Sequence, residues 1–178
     1  MENKYKNQII KSLKQAALSH PEVNFKLIAD NKEIFNVTSE SLQERIASLF
    51  DPTYQENLLP VHLDKNEYSF SGYIGNLNLI RSRPEDQFIY LNRRFIKNRL
   101  LNSAVYSGYK SLTKRGEFPF FVLNLIIPPD QIDVNVHPMK TEVRFKDEWR
   151  IYHILKSGIN DALSDILGTV PYFGKYNP

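Results

Sequence analysis

The chain has 178 residues, 42% of them hydrophobic and 12% aromatic, with a formal net charge of +3. That is one domain's worth of sequence with enough apolar material for a packed core, which excludes a disordered chain. Cysteine is absent, which excludes a disulfide framework, a thiolate metal site and a thiol nucleophile, and fits a reducing compartment.

The first segment predicts a helix. Ile9, Ile10, Leu13, Ala16 and Ala17 recur at three- and four-residue steps, and His20-Pro21 ends the pattern. Val23, Phe25 and Leu27 then alternate with polar residues, turn at Asp30-Asn31 and return through Glu33-Ile34-Phe35, as a hairpin does. A short helix follows, capped by Ser39 or Ser41, with Leu42, Ile46 and Leu49 on one face and Asp51-Pro52 as its stop. Leu58–Leu63 and Glu67–Ile74 read as a second strand pair, turning near Asp64-Lys65-Asn66. Arg81–Asp86 has no periodicity and is expected to be a mobile surface loop. Gln87–Leu91 is a short strand that Asn92-Arg93-Arg94 breaks.

A helix is expected from about Arg99 to Lys114, with Gly116 as its C-terminal cap. The nearly continuous apolar run Phe120–Ile127 predicts a central strand covered on both faces. Pro128-Pro129-Asp130 turns the chain. Ile132, Val134 and Val136 then alternate with Asp133, Asn135 and His137 as a half-buried strand, and Thr141–Phe145 reads as another. The last helix starts near Asp147 and carries Ile151, Ile154, Leu155, Ile159, Ala162 and Ile166 on one face, up to Gly168 and Pro171. The class is α+β or mixed α/β, an antiparallel or mixed sheet with helices packed on it. Residues 1–168 are expected to form the domain, and 169–178 the start of a linker or a disordered tail.

No apolar run approaches the roughly 18 residues of a membrane span. The polar start Met1–Lys6 lacks the apolar middle of a signal peptide, so a soluble, intracellular protein is expected.

Charge is unevenly spread. Arg81 to Arg115 holds nine basic residues and two acids, net +7, which leaves −4 for the rest of the chain. Such a block suits a polyanion, although a solvated loop and helix face explains it as well. Within it, Arg93, Arg94, Lys97 and Arg99 cluster at the start of a helix, where lysine, arginine and free backbone N–H groups favour phosphate. Catalytic constellations are scarce. The chain has no Walker-type glycine loop and no G-x-S-x-G turn, and His20, His62, His137 and His153 lack the spacing of a helical metal site. No catalytic and no metal-binding residue is assigned. In the run Asp133–Lys140, a strand delivers His137-Pro138-Met139-Lys140 into a stiff turn, from which an ammonium could meet a phosphate.

The second half of the chain resembles MutL-family mismatch-repair proteins. Phe88–Ile96 (FIYLNRRFI) resembles their "FVNGR" segment, and Asp133–Phe145 (DVNVHPMKTEVRF) closely resembles their "DVNVHPAKTEVRF" signature. The likeness extends more weakly through Ala17–Phe25. It implies a transducer domain with a ribosomal-protein-like β-α-β arrangement and a left-handed crossover. In that family the transducer follows a GHKL ATPase domain, whose motifs this chain lacks and which is expected before Met1.

The resemblance further implies that Lys140 reaches the γ-phosphate of ATP. Arg99 matches the family's DNA-binding basic residue, and Arg94 matches the Arg of the Asn-Gly-Arg turn. ATP and Mg²⁺ are then cofactors of the longer protein, an ATPase, and are not bound by this stretch alone, which is no enzyme by itself. DNA, the chain's own ATPase domain, a second copy in a homodimer, a MutS-type protein and other repair proteins are the implied partners, in a bacterial cytoplasm. Met139 replaces the family's usual Ala. Arg93 replaces the usual Gly, which suggests that this turn needs no positive φ and adds charge to a DNA face. A free-standing nucleic-acid-binding module with no nucleotide link is the competing reading of the charge block.

Overall fold

The computed structural model describes residues 2–133 and 142–169. Helix α1 (Glu2–Ser19) leads into a hairpin of β1 (Phe25–Ala29) and β2 (Lys32–Val37). Asp30 and Asn31 both have positive φ, 52° and 59°, the two-residue turn that matches the right-handed twist of paired strands. Helix α2 (Leu42–Leu49) starts at a full capping box. The Ser41 hydroxyl accepts from the Glu44 N–H, and the Glu44 carboxylate accepts from the Ser41 N–H. Ser41, and not Ser39, is therefore the cap.

A five-stranded sheet carries the rest. It contains β3 (Leu58–Lys65), β4 (Tyr68–Gly75), β5 (Gln87–Leu91), β6 (Arg94–Ile96) and β7 (Phe121–Ile126), in the order β3-β4-β7-β5-β6. β5 and β7 are parallel and the other neighbours antiparallel, so the sheet is mixed. The connection between the parallel strands runs through β6 and helix α3 (Arg99–Tyr109). A two-stranded ribbon, β8 (Ile132–Asp133) with β9 (Arg144–Phe145), precedes helix α4 (Glu148–Thr169).

Alternation along the central strands makes three layers. On β5 and β7, Ile89, Leu91, Phe121, Leu123 and Leu125 face α3 and α4, where Ile151, Leu155, Ile159 and Leu163 are fully buried. Each such aliphatic side chain contributes about 2 kcal/mol of burial. Phe88, Tyr90, Phe120 and Val122 face the other way, against α1, α2 and the β1–β2 hairpin. The run Phe120–Ile127 thus contains a central strand covered on both faces over its first half, whereas Ile126 near its end is 60% exposed. Gly72 on β4 lies so close to β7 that a Cβ there would stand 2.1 Å from the Val122 carbonyl oxygen, and its φ is +133°.

Arg45 is the fastener of the α1–hairpin–α2 layer. It is 0% exposed. Its guanidinium donates to the carbonyls of Ala17, His20, Pro21, Val23 and Thr38, and Nε donates to Glu40 Oε1 at 2.8 Å. One side chain thereby closes the end of α1 onto the hairpin and α2.

Three local expectations change. The third helix is shorter than Arg99–Lys114. The Tyr109 carbonyl accepts from the N–H groups of Leu112 and Thr113 and from the Thr113 hydroxyl, which ends the helix there. Gly116, at φ +84°, serves a separate turn in which the Glu117 N–H donates to the Lys114 carbonyl. Arg81 is not part of a loose loop. Its backbone pairs with Phe118 in both directions, and its guanidinium donates to the Tyr54 hydroxyl at 2.6 Å. Finally, the turn between β5 and β6 does need positive φ. Leu91 pairs with Arg94, so Asn92 and Arg93 form a two-residue hairpin loop with φ of 48° and 69°. Arginine takes a conformation that costs a non-glycine residue about 1–2 kcal/mol. Contacts with α1 offset it: the Ser19 hydroxyl donates to the Arg93 carbonyl at 2.6 Å, and the guanidinium donates to the Ser19 carbonyl and pairs with Glu22.

Candidate nucleic-acid interface

The basic cluster forms where β6 hands over to α3. Asn98 is the cap: its Oδ1 accepts from the Leu101 N–H at 2.9 Å. Capping leaves the flanking residues Lys97 and Arg99 exposed at a helix N-terminus, the end that favours anions. Both line a groove of about 1040 Å³. Phe88, Phe95 and Phe118 contribute its apolar surface, α1 contributes Lys11, and β9 contributes Arg144. Three acids, Glu85, Glu142 and Glu148, also line it. The groove is part polar, part apolar and mixed in charge, and its basic side chains come from three separate parts of the chain.

The structure sorts the sequence candidates. Lys97 and Arg99 share the groove, are exposed, and have no ion-pair partner among the described residues. Arg94 is exposed on the edge strand β6, next to the groove but not in its lining. Arg93 points back to the turn after α1, where Glu22's own backbone N–H, joined by the Arg93 guanidinium, holds that carboxyl below the usual range. Its guanidinium sits in an ion pair whose two side chains are both exposed. Lys140 lies outside the described residues, as does the rest of 134–141. The strand pairing on either side of that segment is described: Asp133 pairs with Arg144 and Ile132 with Phe145. The Lys146 N–H donates to the Gln131 carbonyl and closes the ribbon.

The +7 stretch is not one patch. Lys110, Lys114 and Arg115 follow the far end of α3, about 15 Å from Arg99 at 1.5 Å per residue. Arg81 and Arg93 are engaged by the framework. What remains at the groove is Lys97 and Arg99, joined by Lys11 and Arg144, which the linear charge count does not reveal. Asn98 was also missed, although an Asn directly before a helical pattern is a cap signal. Among the described residues no group of three or more His, Asp or Glu is placed to hold a metal ion, and no helix is long and apolar enough to cross a membrane.

Known proteins bear on this geometry. Residues 46–164 match the family described as DNA mismatch repair protein, C-terminal domain. The chain is 36% identical over 155 residues to the DNA mismatch repair protein MutL of Christiangramia forsetii, covering 87% of this chain and 25% of that protein. It is 38% identical over 140 residues to the MutL of Chlorobium phaeobacteroides, covering 79% and 22%. It thus spans about a quarter of the length of these curated relatives. Among solved structures, it superposes on the N-terminal domain of a DNA repair protein with a TM-score of 0.76 at 23% identity, covering 96% of this chain and 57% of that one. It superposes on the Aquifex aeolicus MutL ATPase domain complexed with ADP with a TM-score of 0.57 at 17% identity, covering 87% and 49%. A mixed sheet with this helical cover, matched by family over two thirds of its length, makes the chain a member of the MutL-type DNA mismatch repair family.

Proposed function

We propose that the chain is the transducer module of a MutL-type mismatch-repair ATPase, holding DNA at the first turn of α3 and reporting on nucleotide in a neighbouring domain. The observation that carries the DNA half is the groove, where exposed Lys97 and Arg99 stand at a capped helix start and Arg144 also lines the surface. Lysine and arginine there would each neutralise a backbone phosphate without reading sequence. Arg94, on the neighbouring strand edge, extends that surface.

ATP and Mg²⁺ belong to the adjacent ATPase domain, a reading that membership of the MutL-type family supports. Bound there, ATP supplies the γ-phosphate charge that the Lys140 ammonium meets. The family sequence match supports that role, as does the ribbon that brackets the segment at Asp133 and Arg144. A lysine that contacts phosphate in one nucleotide state and not the other biases the arrangement of the two domains, and so the pairing of two copies. Recruitment of a MutS-type protein and of other repair proteins, in the cytoplasm, completes the proposal.

Binding of duplex DNA across a salt series tests the DNA half. Arg99→Glu should weaken binding at every salt concentration and reduce the salt slope by about one phosphate contact. Equal affinity would remove the α3 start from the interface. For the nucleotide half, Lys140→Ala in a protein that also carries the ATPase domain should lose most ATP hydrolysis. Unchanged turnover would remove Lys140 from the mechanism.

A further inference from the structure

The basic turn is tied at both ends to the chain on either side of residues 134–141, and each tie is an asparagine. Asn92 donates from its backbone N–H to the Leu125 carbonyl at 2.8 Å. Its side chain accepts from the Ile127 N–H at 3.1 Å and donates to the Ile127 carbonyl at 3.0 Å. The side-chain amide thereby continues the parallel β5–β7 ladder after β5 has ended, and holds the chain that leads into β8. Asn98 does the corresponding work on the other side. While its Oδ1 caps α3, its Nδ2 donates to the Val143 carbonyl at 3.2 Å, 45 residues away in sequence. Val143 is 8% exposed and sits in the α3–α4 core, directly before β9.

The planar amide of Asn98 thus joins two backbone sites at a fixed separation. One is the first turn of α3, flanked by Lys97 and Arg99. The other is the stretch leaving the segment that contains Lys140. A shift of a few tenths of an ångström at either site must move the other or break the 3.2 Å bond. The capping bond supplies the rigidity on the α3 side, and burial of Val143 and Phe145 supplies it on the other.

We propose that Asn98 is a positioning residue that couples the DNA-contacting first turn of α3 to residues 142–145, through the paired bonds from Oδ1 to Leu101 and from Nδ2 to Val143. This rests on the reading that DNA contacts Lys97 and Arg99. DNA held there stabilises the capped turn, and the turn holds the exit of the Lys140 segment in place. Coupling of this kind is established only when perturbing the connecting bond abolishes the transmitted effect.

The test is amide hydrogen exchange of the chain with and without a short duplex DNA at low salt. In the wild type, DNA should slow exchange at the start of α3 and, by about fivefold or more, at 142–145. Asn98→Ser keeps a good N-cap but is too short to reach the Val143 carbonyl. It should keep the protection of α3 and DNA affinity within about twofold, a change far below the loss of a phosphate contact. The DNA-dependent slowing at 142–145 should vanish. A purely structural role predicts faster exchange at 142–145 in both states with the DNA-dependent difference intact, and that outcome overturns the proposal. So does a wild type in which DNA protects α3 and leaves 142–145 unchanged. If DNA alters neither region because it does not bind, the DNA-contact reading fails and the coupling falls with it.

Discussion

Arg45→Met should destabilise the fold by about 4 kcal/mol, the range found when one member of a buried ion pair is removed. Methionine retains most of the aliphatic stem, so the loss is chiefly polar. Arg45 is 0% exposed, and its six hydrogen bonds run from 2.7 to 3.1 Å. Truncation leaves the buried Ala17 carbonyl without its donor and the Glu40 carboxylate with the Ser48 hydroxyl alone. A buried acceptor without a partner costs about 1–3 kcal/mol, and a charged one more. Water can reach the His20, Pro21, Val23 and Thr38 carbonyls more easily, because those residues are only partly buried or exposed, and this keeps the total well below six such losses. For a chain of this size about 4 kcal/mol corresponds to a fall of roughly 8–16 °C in Tm. Urea unfolding followed by circular dichroism reads the difference directly. Arg45→Lys keeps the charge but has three donors on a point-like head, and should recover less than half of the loss. A methionine variant within about 1 kcal/mol of the wild type would refute the assignment of Arg45 as the fastener of this layer.

Arg93→Gly removes the positive-φ cost together with the guanidinium's bonds to Glu22 and the Ser19 carbonyl, keeps the Ser19 hydroxyl bond to the backbone carbonyl at 93, and should leave stability within about 1 kcal/mol, whereas Arg93→Val should cost about 2 kcal/mol because a β-branched residue resists this region; equal melting of both would contradict the φ argument. Gly72→Ala, with a Cβ 2.1 Å from the Val122 oxygen, should prevent the β4–β7 pairing, read as loss of a cooperative thermal transition. Burial raises the pKa of Asp86, and Lys14 and Arg81 oppose this only in part. An acid whose folded pKa is raised costs stability above its unfolded pKa, and the cost grows until the pH passes the folded value. Asp86→Asn should therefore raise the urea midpoint at neutral pH and leave it unchanged at a pH below the ordinary aspartate value; a lower midpoint at neutral pH would show that the lysine and arginine contacts dominate.

Features set within four residues were legible in the sequence. Helical spacing located α1, α2 and α4, and Asp30-Asn31 marked a hairpin because both residues tolerate positive φ. The apolar density of Phe120–Ile127 marked a central strand, which is covered on both faces up to Leu123 and open on one at Ile126. Pattern also placed Lys97 and Arg99 at a helix start, and the family signature pointed to Lys140. It erred where a distant partner decides the local conformation. Arg93 takes a glycine-like φ because Ser19 and Glu22, more than seventy residues earlier, hold it there. Arg81 leaves its loop because Phe118 pairs with it.

Element types, the apolar central strand and the family could be read from short-range periodicity and a contiguous motif. The surroundings of each charge could not. Arg93 pairs with Glu22 and Arg81 bonds to Tyr54, while Lys97 and Arg99 stand on a groove with Lys11 and Arg144, and Asn98 bonds to Val143. Those contacts join residues that share no helical turn or strand register, and folding alone brings such distant parts of the chain within bonding distance.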